Sequence, residues 1–230
     1  MAANRITKKW MKNHFHYNWW KYLAIAAISV MGIDMLFTST AYRPPEEKKL
    51  ELYICSGYAD SIAMQDALWP QVQARYPEQE ELTVMNIDLS SGDMYANMQF
   101  TTYSAAQQGD VLLLPQAEVY KLAAEGADVA FLELTPFVES GVIDTKGIDL
   151  SAGMMLSESG ENGLYAIPAD SLHGLSEFYC LPEGAMLCVT SYSGNDEHAA
   201  GLLNMLIELY KVEKTESQTE TVEAPAMIFN

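Results

Sequence analysis

The sequence predicts one membrane-spanning helix followed by an α/β domain with a three-layer, mostly parallel sheet. Three observations support this prediction. An apolar segment follows a basic leader, strand-like and helix-like segments alternate at about 25 to 30 residues per unit, and residues 110–115 (DVLLLP) are continuously apolar. Such a run suits a central parallel strand buried on both faces, and the alternation predicts right-handed crossovers between parallel strands.

The N-terminal segment has the composition of a membrane anchor. Residues 1–22 hold five basic residues and no acid, whereas the rest of the chain holds eight basic residues and all 31 acids. The apolar run reaches the ~20 residues of a spanning helix if it extends from Trp19 to Ala41. Lys21 can snorkel toward phosphate, and Asp34 lies near the far interface, where a charge costs less than at the midplane.

The charge difference also predicts the orientation. By the positive-inside rule, residues 1–18 lie in the cytoplasm, residues 19–41 cross the cell membrane once, and the main domain is extracytoplasmic. The alternative is a signal peptide cleaved near Ala41, because Ser39-Thr40-Ala41 provides small residues for a cleavage site. Both interpretations export the main domain.

The acidic main domain excludes several classes of function. Nucleic-acid binding needs Lys and Arg to neutralise phosphates, so no nucleic-acid partner is predicted for a chain with a formal net charge of -18. No His or Cys spacing resembles a metal site, and the glycines form no phosphate-binding motif, so neither metal nor cofactor is predicted. Ser171 and His173 adjoin Asp170, but no GxSxG elbow accompanies them, and we predict no enzymatic activity.

The first elements of the domain are predicted from their local boundaries. Residues 42–48 contain two consecutive prolines and form a stiff spacer. Residues 49–56 form a buried strand, and Asp60 or Ser61 begins a helix in which Pro70 marks a kink or the true start.

The next two units follow the same order. Residues 81–89 alternate like a strand, and residues 90–93 (SSGD) break it and cap a helix that runs through Gln108 and ends at Gly109. The strand at residues 110–115 then leads to a helix that stops at Gly126.

The second half of the domain, which extends to residue 211, is less regular. Cys180 and Cys188 flank the turn of a predicted hairpin and could face each other across it, so their redox state stays open. The predicted elements are an extended stretch (128–135), a loop-rich segment (136–162), a strand (163–167), a hairpin (178–190), a helix starting at Asn195 and Asp196, and a disordered acidic tail (212–230).

In this order, the segments of residues 49–211 resemble the first lobe of type II extracellular solute-binding proteins, which feed ABC importers. The resemblance is carried by KLELYICSGYAD, ARYPE, ELTVMNID, GDVLLLP, AAEGADVAFLELTPFV and GLYAIPAD, in which Asp110, Gly126, Leu132, Leu134, Tyr165, Ile167 and Pro168 occupy the family's places. It implies a small polar solute and the permease subunits of an ABC importer as partners.

The chain departs from this family after Pro168. Family members place a second lobe there and bind solute between the two lobes, whereas this chain reaches its predicted hairpin and final helix within about 30 residues. The resemblance therefore implies a truncated, single-lobe, membrane-anchored relative that lacks half of the binding cleft.

Candidate ligand residues follow the predicted strands, because open α/β sheets place their sites at the carboxyl ends of the strands. Helix N-termini there supply unpaired N–H groups, and Tyr58 could stack on a sugar or an apolar face. The same residue types are typical of helix caps and turns. The candidates are Ser56, Gly57, Tyr58 and Asp60 after the first strand, Ser90, Ser91 and Asp93 after the second, and Gln116 after the third.

Two hypotheses of function remain. The first is a membrane-anchored module that binds a small polar solute or assists an ABC importer. The second is an envelope scaffold that uses its surface, or residues 226–230, to engage another protein. A pocket lined by Tyr58, Asp60 and Ser91 favours the first, and a flat face there with an exposed apolar patch elsewhere favours the second.

Overall fold

The computed structural model describes residues 8–212, which fall into two compact units, Met1–Arg43 and Pro44–Asn230. The first unit contains a single long helix, α1 (Lys8–Thr40). Its stretch His16–Thr40 is long and apolar enough to cross a membrane, and none of its most apolar window is buried within the protein. A signal sequence has the same properties, so both the anchor and the cleaved leader stay predictions.

The second unit is an α/β domain, which we call the body. Its strands are β1 (Lys49–Ile54), β2 (Glu81–Asn86), β3 (Val111–Pro115), β4 (Met154–Leu156), β5 (Asn162–Leu164), β6 (Ile167–Pro168) and β7 (Ala185–Val189). Five of them form one sheet in the order β2-β1-β3-β7-β6, while β4 and β5 form a separate antiparallel pair.

The large sheet is mixed. β1 pairs in parallel with β2 and β3, whereas β7 pairs antiparallel with β3 and β6. The three predicted parallel strands are therefore confirmed. The predicted α/β class is confirmed, whereas the mostly parallel sheet is not, because two of the four strand pairings in this sheet are antiparallel.

The helices of the body are α2 (Ser61–Arg75), α3 (Met94–Ala105), α4 (Gln116–Leu122), α5 (Ala127–Ala130), α6 (Thr135–Glu139) and α7 (Asp196–Tyr210). Single 3-10 segments lie at Glu46–Lys48, Ala123–Glu125, Ser151–Gly153 and His173–Phe178. Helix α2 runs through Pro70. Proline has no N–H, so the carbonyl of Asp66, four residues earlier, lacks its helical donor. Pro70 and Asp66 are both exposed, and this carbonyl can therefore bond water.

An apolar cluster covers each face of the sheet. One cluster joins alternate residues of β1, including Leu52, to α2 and α7, and the other joins Tyr53 to α3 and α4. The central strand β3 contributes Leu113 to the first cluster and Leu112 to the second. This confirms the prediction that its continuous apolar run is buried on both faces.

The predicted hairpin at residues 178–190 is wrong. Phe178 ends a 3-10 segment, and β7 is the only strand of this region. Residue Cys188 of β7 lies opposite Leu112 of β3, and Cys188 and Cys180 are free, buried cysteines. The apolar run of β7 was compatible with a local hairpin, but β7 pairs with β3 and β6, which both precede residue 178 in the chain.

Two other predicted segments differ from the structure. The strand at residues 163–167 is divided, because β5 ends at Leu164 in the small sheet and β6 begins at Ile167 in the large one. The predicted extended stretch at residues 128–135 begins in α5 and contributes only an isolated bridge from Phe131 to Thr190. Residues 1–7 of the predicted leader and 213–230 of the predicted tail lie outside the described residues.

Candidate functional site

The segments after β1 and β2 meet the segment that follows the His173–Phe178 turn. We call residues 55–62, 87–95 and 178–184 together the carboxyl edge. Two hydrogen bonds hold these segments: Asp60 N donates to Phe178 O over 2.9 Å, and Asn86 Nδ2 at the end of β2 donates to Gly57 O over 2.6 Å. Gly57 also lies close to Ser90, since a Cβ on Gly57 would be 3.8 Å from Ser90 Oγ. The structure therefore brings the candidate residues after β1 and β2 close together.

Gln116 joins this edge through its backbone. Its N–H donates to the Gly184 carbonyl over 2.9 Å, while its side chain points along α4 and donates to the Tyr120 hydroxyl over 2.8 Å. The Tyr120 hydroxyl in turn donates to the Ala152 carbonyl over 3.0 Å. The amide of Gln116 thus has a partner within the body.

The two candidate aspartates cap helices. The Asp60 carboxylate accepts a hydrogen bond from Ala63 N over 3.1 Å at the start of α2, and the Asp93 carboxylate accepts one from Tyr95 N over 3.0 Å at the start of α3. These bonds satisfy N–H groups that a helix start leaves unpaired. Each carboxylate therefore has a structural partner already.

The two candidate serines belong to a turn built around Asp88. One oxygen of the Asp88 carboxylate accepts bonds from Ser90 N, Ser90 Oγ and Ser91 N at 3.0, 2.5 and 3.2 Å. The Ser91 hydroxyl donates to the Asp88 carbonyl over 2.8 Å and accepts from Asp93 N over 3.2 Å. Sequence reasoning missed Asp88, although an Asp followed two and three residues later by Ser is typical of such turns.

Ser56 is half-buried, and its hydroxyl points away from solvent. Its Oγ is buried and, apart from the Cys180 thiol, has no hydrogen-bond partner within the described residues. Burial raises the pKa of the nearby Cys180 thiol to about 11, and the Ser56 hydroxyl opposes that rise. A protonated, buried thiol is a poor nucleophile, so Cys180 is not activated as one at neutral pH.

Tyr58 differs from the other candidates because its side chain makes no hydrogen bond to another described residue and is mostly exposed. The ring of Tyr179 lies beside it, with 6.5 Å between the two ring centroids. Tyr179 was missed by sequence reasoning. It has a left-handed backbone (φ 60°) at the end of the His173–Phe178 turn, while its neighbours Phe178 and Cys180 are buried.

At the carboxyl edge, large apolar side chains are therefore exposed, while the polar side chains beside them are hydrogen-bonded within the body. We call these four residues the aromatic patch: Tyr58 (65 % exposed), Ile62 (75 %), Tyr179 (69 %) and Leu181 (66 %). The first turn of α3 adds exposed Met94 and Tyr95 to the same edge. Isolated exposed apolar residues are ordinary on protein surfaces, whereas a group of them marks a contact surface.

The charges at the carboxyl edge are all negative. The three segments that form it contain no Lys, Arg or His. His173 lies next to it, with Nδ1 3.7 Å from a Glu183 carboxylate oxygen. The acids at or beside the edge are Asp60, Asp88, Asp93, Glu177 and Glu183.

None of the candidate residues lines the following cavities and grooves of the body. Cavities and grooves of 630, 560, 520 and 410 Å³ lie on the described body, and Tyr58, Asp60 and Ser91 line none of these four. Within residues 8–212, no group of three His, Cys, Asp or Glu side chains is placed to hold a metal ion.

Comparison with known proteins adds no family assignment, because no protein-family model matches the chain and no curated protein matches it.

Proposed function

We propose that this protein is a membrane-anchored binding module that contacts another protein of the cell envelope through its carboxyl edge. The observation that carries this proposal is the aromatic patch, in which four large apolar side chains are exposed beside polar groups that are bonded within the body. Tyrosine supplies a large contact area at low entropy cost and is enriched at the centres of protein interfaces.

The occupied polar groups favour a protein partner over a small polar solute. A polar solute needs free donors and acceptors that converge on it. The carboxylates of Asp60 and Asp93 and the hydroxyls of Ser90 and Ser91 already bond to neighbouring backbone or side-chain groups. A partner with an apolar centre can cover the patch without displacing those bonds.

The negative rim favours a partner of positive charge. Five acids lie at or beside the carboxyl edge, and Lys or Arg side chains of a partner could pair with them. Cations could also lie over the faces of Tyr58 and Tyr179. The proposed partner therefore has an apolar surface surrounded by Lys and Arg.

The proposed location follows from α1 and the charge of its flanks. The basic residues precede the apolar stretch His16–Thr40, so the positive-inside rule places the N-terminus in the cytoplasm and the body outside. Cleavage near Ala41 would release the same body into the extracytoplasmic space.

A second candidate function is that of a single-lobe solute-binding module that assists an ABC importer. The ring pair supports it, because rings of Tyr58 and Tyr179 with centroids 6.5 Å apart could stack on a sugar or another flat solute. In this case the other wall of the cleft comes from a permease subunit.

Site-specific photocrosslinking in intact cells tests the first proposal. A photoreactive phenylalanine analogue at position 58 or 179 of the full chain should give one discrete crosslinked protein. The analogue at Leu209, which is 45 % exposed on α7, serves as the matched control and should not. Tyr179→Ser should weaken the crosslink from position 58 at least several-fold, because both rings belong to the same patch.

A thermal-shift screen of the detergent-solubilised full chain with sugars, amino acids and peptides tests the second candidate. A shift that Tyr58→Ala and Tyr179→Ala abolish would favour solute binding. Both variants should unfold within about 0.5 kcal/mol of the unmodified chain, because the rings are exposed. A crosslink that is the same at positions 58, 179 and 209, together with no solute shift, would overturn both functions.

A further inference from the structure

We propose that the cavity of 630 Å³ beside the end of α7 binds a carboxylate group, with Lys211 and Ser171 as its hydrogen-bond donors. The cavity lies between the turn at Lys146, the segment 170–173 after β6, and the last described residues, Lys211 and Val212. The Val212 N–H donates to the Ser171 carbonyl over 3.2 Å, which holds the end of α7 against that segment. The inference does not depend on the proposed function of the carboxyl edge.

Lys211 differs from the other described basic side chains of the body. Its ammonium donates to the Lys146 carbonyl and has no carboxylate within 4.0 Å among the described residues. Each of the others has an acidic partner: Lys48 with Glu80, Lys49 with Glu46, Arg75 with Glu208, Lys121 with Glu118, and Lys146 with Asp144. In a chain with a formal net charge of -18, a lysine without an acidic partner beside a cavity is an unusual arrangement.

The Lys211 ammonium keeps donors available for a ligand. An ammonium has three N–H donors, and the Lys146 carbonyl takes one. A Cβ on Gly147, which also lines the cavity, would lie 3.4 Å from Lys211 Nζ. The positive φ of Gly147 (74°) therefore belongs to the turn that places the Lys146 carbonyl against this ammonium.

Ser171 supplies a second donor. Its Oγ is buried in this rotamer and has no hydrogen-bond partner in the described part of the chain, while the residue itself lines the cavity, so rotation about χ1 would turn the hydroxyl toward a ligand there. A buried hydroxyl without a partner costs about 1–3 kcal/mol, and an acceptor in the cavity would remove that cost. The adjacent His173 imidazole also lines the cavity and offers a further donor.

Neighbouring acids limit the charge of the ligand. The Asp170 carboxylate lines the cavity and accepts a bond from Gly184 N over 2.9 Å, and Glu183 faces His173 over 3.7 Å. The Lys146 backbone N–H and, more weakly, the ammonium groups of Lys146 and Lys211 lower the pKa of Asp144. With three acids this close, a singly charged carboxylate fits the site better than a multiply charged phosphate.

Two sources could supply this carboxylate. One is a free small organic acid. The other is the chain itself, because residues 213–230 follow the cavity directly and contain Glu213, Glu216, Glu220 and Glu223 as well as the C-terminal carboxylate. Both sources would accept the same bonds from Lys211 and Ser171.

Amide chemical shifts of the full chain in micelles test the site, with sodium acetate as the probe and sodium chloride at matched ionic strength as the reference. Acetate should shift the Ser171 and Val212 amides in a saturable way. Lys211→Met should weaken binding at least tenfold, and Ser171→Ala about threefold or more. Lys121→Met, a lysine paired with Glu118, is the matched control and should leave binding unchanged.

A chain ending at Val212 separates the two sources. If residues 213–230 occupy the cavity, removing them should strengthen acetate binding at least several-fold, whereas a site for a free acid should keep the same affinity. Ser171→Ala should not lower the thermal stability of this shortened chain, because its hydroxyl has no partner without a ligand. Non-saturable shifts in both chains, or equal shifts in Lys211→Met and Lys121→Met, would overturn the inference.

Discussion

The two ends of the central strands use polar side chains in different ways. At the carboxyl edge, Asp60, Ser91 and Asp93 are at least partly accessible, and they bond to groups two or three residues away in the same turn. At the amino end, Asp110 and Asn195 are buried and bond to groups 59 to 148 residues away. The buried polar side chains of the amino end therefore hold distant segments together, whereas the side chains of Asp60, Ser91 and Asp93 at the carboxyl edge bond within their own turns.

Asn195 is the centre of one network at the amino end. Its Nδ2 donates to the carbonyls of Glu47 and Lys49 at 3.1 and 3.2 Å, and its Oδ1 bonds His198 Nδ1 over 2.7 Å. His198 Nε2 lies 2.8 Å from a Glu78 carboxylate oxygen. This network connects the start of α7 to the segments that lead into β1 and β2.

Asp110 is the centre of a second network. One carboxylate oxygen accepts from Glu51 N over 2.8 Å, and the other accepts from Ser193 Oγ over 2.6 Å. Burial raises the pKa of Asp110 to about 6, and the bonds from Ser193 and Glu51 oppose that rise. The Asp110 carboxyl group therefore joins β1, β3 and the loop before α7. Because the group is buried, its ionised form is less stable there than in water.

The largest effect is expected at Asn195. Asn195→Leu should lower the free energy of unfolding by about 3 kcal/mol, because two carbonyls and His198 lose their partner in a buried place. Denaturant-dependent labelling of the cysteines measures this in the full chain, since all three cysteines are buried in the body. Asn97→Leu on the exposed face of α3 is the matched control and should cost less than about 0.5 kcal/mol. Equal effects of the two variants would remove the distinction between the ends.

An intermediate, pH-dependent effect is expected at Asp110. The pKa of Asp110 is about 6 in the folded protein and near 3.8 in the unfolded chain, so protonation of this carboxyl stabilises the folded state. This stabilisation is fully present below about pH 4 and is lost as pH rises through about 6. Asp110→Asn can keep both hydrogen bonds without the charge. The stability of the unmodified chain relative to this variant should therefore be about 2 kcal/mol greater at pH 4 than at pH 7.5.

Ser193→Ala is the control for this assignment. It removes a hydrogen bond that lowers the pKa of Asp110, so the pH-dependent loss of stability should move to higher pH. Cysteine labelling at a series of pH values, with the labelling time adjusted for thiolate formation, measures both variants. If the free energy of unfolding changes with pH in the same way in Asp110→Asn and in the unmodified chain, other groups cause the pH dependence.

The smallest effect is expected at the carboxyl edge. Asp93→Ala should cost about 1 kcal/mol, because the substitution removes the cap of α3 and leaves the packing of the body in place. The same labelling experiment measures this loss. A cost as large as that of Asn195→Leu would show that the carboxyl edge also carries long-range structure, and its residues would then be less free to serve a partner.

Local chemistry explains which elements were predictable. Asp60 and Asp93 cap α2 and α3 through bonds within three residues. The predicted end of α3 at Gly109 is wrong, because the helix ends at Ala105 and Gln107 has the left-handed backbone (φ 56°) after it. By contrast, the apolar run of β7 has no feature that distinguishes a hairpin arm from a partner of β3. Periodicity shows that a strand is buried, but it does not show which strand lies beside it.

The candidate site also has one part that the sequence predicted and another part that only the structure revealed. The position of Tyr58 after a buried strand predicted its place at the end of the sheet. Tyr179 lies 121 residues later in the chain, and only the folded body brings the two rings together. The engagement of Ser90 and Ser91 with Asp88 also decided which candidate side chains stay available for a partner.

The sequence by itself determined the apolar N-terminal helix, the acidic body and the order of the first three strands, because each depends on composition or on contacts within a few residues. Only the tertiary structure decided the mixed sheet, the aromatic patch and the cavity beside Lys211. These features require residues far apart in the chain to share one core, and the pairing is set by how the two apolar clusters pack on the sheet.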